Sequence, residues 1–254
     1  MTKRLFEIEC MGQPVTVEVI DPGGGFILHG YDPDAEEALW ALGHNKESMC
    51  AKLGKLRTQI DLDVLLFDLV EGNYRTELVE LALALGADPD FKPFSSLNVL
   101  GKAINAQANT DDLGNVAALL KHGARVEKGH INGTAAHGDV ELMQLLIEHG
   151  GDTYADRHEA IFMAVRHLRP EMVGFLLEQG LEPWRHGVEI LSAPMNNSER
   201  RHLAHEIVAM LLEHGQFTKK SIATGYERAV DAGDEMTQAV FEDYICSRYL
   251  DEEE

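Results

Sequence analysis

The chain repeats one pattern of hydrophobic and polar positions. Five runs with apolar residues at helical spacing each end in a glycine, and the pattern returns about every 30 residues. One copy places Val140, Met143 and Leu146 on the same face of a helix. A glycine directly after a helix can take the left-handed conformation that ends it. The pattern therefore predicts units that close with a helix and a glycine cap, at Gly86, Gly123, Gly150, Gly180 and Gly215.

A second, shorter helix is predicted before each closing helix. These upstream segments are apolar or rich in small residues, and they cover 65–70, 99–104, 131–136, 160–165 and 188–193. Two short helices joined by a turn cannot bury their apolar faces alone, so successive pairs have to stack on one another. The sequence thus predicts a mostly α-helical chain, folded as a solenoid of helix pairs.

The repeated phrase resembles the ankyrin repeat. The stretch TAAHGDVELMQLLIEHGGD at 134–152 is similar to the second half of that repeat, and GADPD at 86–90 is similar to its cap. The resemblance covers about residues 62–250 and implies an ankyrin-like helical repeat. The Thr-Pro-Leu-His opening of the family is missing, and Gly129-His130-Ile131-Asn132 and Glu159-Ala160-Ile161-Phe162 stand in its place. That opening links neighbouring turns by hydrogen bonds. Without it, the sequence does not predict the angles at which successive repeats stack.

Different structures are predicted at the two ends. After Gly215 a sixth helix pair can be traced, and it ends in DEEE, which suits a C-terminal cap of the repeats at 61–254. The first thirty residues alternate apolar with polar positions in RLFEIEC, QPVTVEVI and GFILHG, which predicts a three-stranded β-meander. The segment DPDAEEALWALG then predicts a helix. We expect meander and helix to form an N-terminal capping module at 1–60.

The net charge narrows the choice of partners. The chain has 254 residues, 44% of them hydrophobic, and a net charge of −21 from 43 acidic and 22 basic residues. Such a surface repels nucleic acid and anionic membranes and attracts cationic partners. Cys10, Cys50 and Cys246 lack the spacing of a disulfide framework or a zinc ribbon, and no apolar run is long enough to cross a membrane. A cytoplasmic location is expected.

The twelve histidines do not form a metal motif. His122, His149 and His214 each precede a cap glycine, where a structural role is expected. The stretch His202-Leu203-Ala204-His205-Glu206 has the wrong order for either zinc-protease motif and lacks a third ligand. No metal site is therefore predicted.

Other catalytic signatures are missing as well. Gly101-Lys102 lacks the rest of a phosphate-binding loop, and no serine lies in a Gly-x-Ser-x-Gly turn. The sequence predicts no cofactor and no enzymatic activity. The remote alternative is a metal-dependent hydrolase that uses His202, His205 and Glu206 or the N-terminal module.

The turns after the cap glycines are the predicted binding surface. In an ankyrin-like stack these fingertip turns, together with the first helices, line a concave face that can bind a partner. Exposed aromatic residues and arginine often dominate interface energies. The candidates of this kind are Phe91, Phe94, Tyr154, Trp184, Arg185 and Phe217, and the acidic candidates beside them are Asp88, Asp90, Asp152 and Glu182. The alternative is that the rings pack between repeats and the acids only keep the stack soluble.

The function predicted from these features is a non-enzymatic intracellular scaffold that binds a basic protein partner through its concave acidic face and fingertips. The alternative is an acidic inhibitor, such as an immunity, anti-defence or nucleic-acid-mimic protein, that blocks a nucleic-acid-binding partner. Fold resemblance alone does not choose between them, because repeat scaffolds carry many unrelated functions.

Overall fold

The fold is known from a computed structural model of the chain. It describes residues 2–10, 13–21, 62–70, 76–84, 86–93, 97–107, 112–196 and 201–250. The chain divides into two compact units, Met1–Arg125 and Val126–Glu254. The predicted boundary at residue 61 stays a prediction. The predicted third strand, GFILHG, and the predicted helix DPDAEEALWALG lie outside the described residues.

The N-terminal part of the predicted fold class is wrong. No three-stranded meander is seen in the described residues, which form a two-stranded antiparallel hairpin of β1 (Thr2–Cys10) and β2 (Gln13–Asp21). The two strands pair along their whole length, from Thr2 opposite Asp21 to Cys10 opposite Gln13. Alternating residues identify strands, but the number of strands that pair depends on tertiary contacts that the alternation does not record.

The described part of the first unit also contains two helix pairs. They are α1 (Leu62–Leu69) with α2 (Thr76–Ala84), and α3 (Val99–Gln107) with α4 (Gly114–Lys121). Fully buried apolar side chains from all four helices, such as Leu66, Val79, Leu100 and Leu119, form the core of these pairs. Both pairs lie where the sequence pattern predicts them.

The described residues of the second unit form four helix pairs. Each pair consists of a first and a second helix: α5 (Lys128–His137) and α6 (Val140–Glu148), α7 (Ala155–Arg166) and α8 (Pro170–Glu178), α9 (Val188–Ser192) and α10 (Ala204–His214), and α11 (Lys219–Asp231) and α12 (Glu235–Ile245). Within the described ranges, no helix is long and apolar enough to cross a membrane.

The second helices bury the same face in successive pairs. Leu142, Met143 and Leu146 in α6 are 3% exposed or less, and the corresponding residues of α8 and α10 are buried as well. These residues follow the helical spacing read in the sequence. Because no pair can cover this face by itself, adjacent second helices pack on each other in turn.

Four of the five predicted glycine caps, those after α2, α4, α6 and α8, are left-handed, and the one after α10 is not. The φ angles of Gly86, Gly123, Gly150 and Gly180 are 103°, 91°, 89° and 85°. Gly215 instead has extended backbone, with φ of −99° and ψ of 148°. A Cβ atom on Gly215 would overlap the ring of Phe217, so this position needs glycine for space and not for its backbone angle.

A buried hydroxyl group in α5 allows the packing of this unit to be tested by substitution. Thr134 in α5 is 0% exposed, and its Oγ1 has no hydrogen-bond partner among the described residues. We expect Thr134→Val to raise the free energy of unfolding by about 1 kcal/mol, because valine has the same shape without the unsatisfied hydroxyl. Denaturant unfolding measures the change.

The matched control is Thr237→Val in α12. Thr237 is equally buried, but its Oγ1 donates a hydrogen bond of 2.8 Å to Asp234 Oδ2. The same substitution is expected to lower the free energy of unfolding there by about 1 kcal/mol or more. Equal signs for the two variants would contradict this account.

Candidate protein-binding surface

The acidic residues of the first unit's tip hold its turn in place. Asp88 Oδ1 accepts the Asp90 N–H at 2.9 Å, and the Asp88 N–H donates to Asp63 Oδ1 at 2.6 Å. Asp90 Oδ1 accepts the Arg125 N–H at 2.7 Å, and its other oxygen lies 3.3 Å from Arg125 Nε. Both predicted acidic contacts of this tip therefore have local structural partners.

Phe91 packs against its own unit. Its ring is half-buried and meets Phe67 edge to face, with ring centroids 6.2 Å apart. Lys102 Nζ lies 3.7 Å from the centre of the Phe67 ring. Phe91 thus contributes to the packing of its own unit and is only partly exposed to solvent. Phe94 lies outside the described residues.

Tyr154 connects two successive tips of the second unit. Its N–H donates to Asp152 Oδ1 at 2.9 Å, which fixes the turn after Gly150. Its hydroxyl donates to the Gln179 carbonyl oxygen at 2.5 Å, in the tip of the next pair. The side chain is still 51% exposed. Tyr154 is therefore an oriented aromatic ring that remains open to solvent.

His158 makes the second connection between these tips. The ring is 7% exposed and lies edge to face with Tyr154 at 5.1 Å. Its Nδ1 accepts the Glu182 N–H at 2.8 Å. The His158 carbonyl oxygen accepts a hydrogen bond from His186 Nε2 at 3.1 Å. Burial and the positive charge of Arg185 lower the pKa of His158 below its ordinary value.

The backbone at this tip is strained. Asp156, Arg157 and His158 have φ of 48°, 57° and 67°, so three consecutive residues other than glycine are left-handed. This conformation costs such residues about 1–2 kcal/mol each. Contacts on both sides hold the turn: Lys128 Nζ lies 2.7 Å from Asp156 Oδ2 on one side, and Glu182 donates to His158 on the other.

Trp184 and Arg185 lie on a short 3₁₀ turn, Pro183–His186. Trp184 is half-buried, and Arg185 forms an ion pair with Glu182 on the same turn. The ring of His186 stacks on Phe162 of α7 at 5.1 Å. This turn therefore places Trp184 and His186 on the tip that follows the one with Tyr154, and its charged residues Glu182 and Arg185 balance each other.

Phe217 is the one described aromatic candidate that is buried. Its side chain is 9% exposed and lies against Gly215. Two of the cap histidines also have structural contacts: His149 Nδ1 is 3.0 Å from the Leu145 carbonyl oxygen, and His214 Nδ1 is 3.0 Å from that of Met210. Because a carbonyl only accepts, both rings donate to the last helical turn.

The described residues contain no group of three or more His, Cys, Asp or Glu side chains that could hold a metal ion. His202 is exposed and His205 is half-buried at the start of α10. The Nδ1 of His205 has no hydrogen-bond partner in that part of the chain.

The second helices of the second unit display two rows of exposed carboxylates. Each helix has a glutamate in its first turn and another about two turns later, on the same face. The first row is Glu141, Glu171, Glu206 and Glu235, and the second is Glu148, Glu178, Glu213 and Glu242. We call these the carboxylate rows. The first row suits the positive end of each helix dipole, whereas the second row lies toward the negative end, where acidic residues are unfavourable.

The comparisons with known proteins concern the fold. The chain is similar to the crystal structure of an ankyrin repeat domain from Acinetobacter baumannii AYE, with a TM-score of 0.54 and 18% sequence identity. The similarity covers 71% of this chain and 97% of that domain. This chain has an ankyrin-like fold. No family model matches the sequence, and no curated protein matches it.

One regularity of the ankyrin-like repeats was missed in the sequence. His130, His158 and His186 follow one another at the same spacing, which is 28 residues between the last two. Each lies in the opening of its repeat, and His130 Nδ1 accepts the Glu127 N–H at 3.0 Å, as His158 Nδ1 accepts that of Glu182. The Thr-Pro-Leu-His opening is missing as a phrase, but a histidine remains in each of these three openings, and in two of them its Nδ1 accepts a backbone N–H. The equal spacing was the available signal.

The connection between the tips gives a prediction. Tyr154→Phe removes only the hydroxyl that donates to the Gln179 carbonyl oxygen. We expect it to lower the free energy of unfolding by about 1 kcal/mol, the usual effect of losing one such hydrogen bond. Denaturant unfolding measures it, and Tyr154→Phe with unchanged stability would show that this bond does not hold the tips together.

Proposed function

We propose that this chain is a non-enzymatic intracellular scaffold that binds another protein through the tips of its second unit. The binding surface consists of Asp152, Tyr154, Glu182, Trp184 and Arg185, and we call it the tip surface. The ankyrin-like fold supports a binding role of this kind, since repeat folds present extended surfaces to partners.

The observation that carries the proposal is the state of Tyr154. The ring is half exposed to solvent although hydrogen bonds at both its backbone and its hydroxyl fix its direction. A fixed aromatic ring loses little conformational freedom when a partner covers it. Tyrosine and tryptophan are also the residues that most often dominate interface energies, and Trp184 is partly exposed on the neighbouring turn.

The expected charge of the partner follows from the net charge of the whole chain more than from the charges at the tips. Glu182 is paired with Arg185, and Asp152 accepts the Tyr154 N–H, so the local carboxylates are already engaged. The net charge of −21 creates the field that attracts a basic protein from a distance. A basic partner therefore remains our proposal, with attraction that weakens as salt rises.

The carboxylate rows favour a second candidate function, an inhibitor that imitates nucleic acid. Four adjacent helices about 10 Å apart carry eight carboxylates over roughly 30 Å, or about one charge per 4 Å. Duplex DNA has about one per 1.7 Å, so the rows reach less than half of its charge density. The imitation is regular but weak, and we rank it second.

Site-specific photocrosslinking in the cells that make the protein distinguishes the two candidates. A photoreactive amino acid replaces Trp184 on the tip surface in one version and Glu171 in the first carboxylate row, at the opposite end of α8 from the tip, in another. We expect an adduct with a second protein from position 184 and none from position 171. The reverse result would favour the inhibitor, and no adduct at either position would contradict both.

A substitution tests the energetic role of the tip surface. Trp184→Ala is expected to weaken binding of the crosslinked partner about tenfold or more, since truncation of an anchoring tryptophan has effects of this size. The melting temperature should fall by less than about 5 °C, because the side chain is partly exposed to solvent. Calorimetric titration and thermal unfolding measure the two effects. Trp184→Phe is the control, and unchanged binding with a large loss of stability would place Trp184 in the core.

Neutralising three of the four glutamates in the second carboxylate row tests the hypothesis that the chain is an inhibitor. The triple variant Glu148→Gln, Glu178→Gln and Glu213→Gln removes negative charge near the negative ends of three helices, so stability should stay the same or rise. For an inhibitor, the variant should lose affinity for the partner, and duplex DNA should compete with the unmodified chain. For tip binding, affinity changes little and DNA does not compete.

A further inference from the structure

We propose that the tip at residues 152–158 is an acid-sensitive clamp, in which protonation of His158 releases this tip from the following one at residues 179–186. The inference rests on the proposed function, because both tips contribute to the tip surface. It adds a form of regulation: the surface is assembled at neutral pH and loosened in mild acid.

The strained turn supplies the tendency to open. Three successive left-handed residues, Asp156, Arg157 and His158, relax toward the ordinary conformation once nothing holds them. Asp156 is held by Lys128 at 2.7 Å, and His158 is held by the Glu182 N–H at 2.8 Å. The first contact is an exposed ion pair, which contributes little. The second is a hydrogen bond to a buried ring.

Only the neutral ring of His158 can make that bond. Its Nδ1 accepts the Glu182 N–H, so the ring proton of the closed state lies on Nε2. When Nδ1 also takes a proton it becomes a donor and meets the Glu182 N–H as a second donor. The ring is 7% exposed, so a charged imidazolium would also lack water. Protonation therefore requires the tip to open.

The charged groups around His158 lie on its own tip and the next. Asp152 precedes it, and Glu182, Arg185 and His186 face it from the Pro183–His186 turn and the residue before that turn. Burial lowers the pKa of His158 most, followed by Arg185, and the two carboxylates oppose them. Since Glu182 also pairs with Arg185, the carboxylates do not cancel the effect of burial.

The sign of the pH effect follows from this lowered pKa. In the open tip the ring titrates near its ordinary value of about 6.5, so above that pH the clamp is fully closed. As the pH falls below about 6.5, the open form binds a proton that the closed form does not. The opening equilibrium then rises by at most tenfold per pH unit until the closed form also takes up the proton, which sets an upper bound of about tenfold at pH 5.5.

Opening also changes the exposed surface. Tyr154 packs edge to face on His158, and its hydroxyl donates to the Gln179 carbonyl oxygen in the neighbouring tip. When the two tips separate, that bond breaks and the ring is no longer held in one direction. The rigid aromatic surface that we propose for the partner is thus lost together with the clamp.

Amide hydrogen exchange of the whole chain without a partner tests the clamp. Exchange is followed at residues 152–158 and at the Glu182 N–H, corrected for the intrinsic pH dependence, between about pH 7.5 and 5.5. Protection should fall at these sites, by up to about tenfold. It should stay unchanged in the buried segment of α10, which reports on global unfolding. Equal loss in α10, or no loss at the tip, would overturn the proposal.

Two variants isolate the residue. His158→Asn keeps an acceptor oxygen without a titrating ring, and the acid-induced loss at the tip should disappear. His167→Asn is the matched control, because partial desolvation and then Arg166 lower the pKa of His167 as well, but it lies at the far end of α7. His167→Asn should keep the acid-induced loss of protection at the tip. If this loss disappears in both variants, or in neither, His158 is not the residue that releases the tip.

A direct titration keeps the proposal testable if His158→Asn does not fold. NMR of the unmodified chain follows the His158 ring signal and the Glu182 amide signal over the same pH range. Both should change together, with the histidine pKa below about 6.5. An amide signal that ignores the titration of the ring would refute the clamp. Since no partner is present, these results do not depend on whether the tip surface binds one.

Discussion

The second unit depends on one constraint, that its helices are too short to bury an apolar face alone. A first helix as short as Val188–Ser192 has no independent core, and α6, α8 and α10 bury leucine, isoleucine, valine and methionine against adjacent pairs. Each pair is therefore ordered by its neighbours. The same dependence extends to the turns, because the backbone of one tip lies within hydrogen-bond distance of side chains in the next.

Polar contacts between tips carry the specificity that the apolar core lacks. Apolar packing would tolerate small rotations of one pair against the next, whereas a hydrogen bond to a buried imidazole tolerates little. His158 accepts from Glu182, and Tyr154 donates to the Gln179 carbonyl oxygen, so two bonds fix this junction. The left-handed turn persists because both its flanks are held. Strain, pH sensitivity and a rigid exposed ring thus have the same origin at this tip.

The regular negative charge and the exposed aromatic residues of the second unit lie on different structural elements. The tip carboxylates mostly accept backbone N–H groups or pair with arginine and lysine, as Asp152, Asp156 and Glu182 do. The sequence suggested that these acidic side chains are available to a partner. Short acidic side chains, however, commonly stabilise turns by accepting backbone hydrogen bonds. The regular negative charge lies on the second helices instead.

For the described repeats, the sequence by itself determined the helices, their pairing and most of their glycine caps, because helical periodicity and glycine caps act within a few residues. It did not determine the N-terminal pairing, where alternation predicted a three-stranded meander and the described residues form a two-stranded hairpin. The sequence also predicted both Tyr154 and Phe217 as binding residues, because each follows a cap glycine. Tyr154 is 51% exposed, whereas Phe217 is 9% exposed. Whether a ring lies over a turn or under it depends on the neighbouring repeat. Only the tertiary structure decided this, because the atoms that cover or expose each ring are contributed by residues distant in the chain.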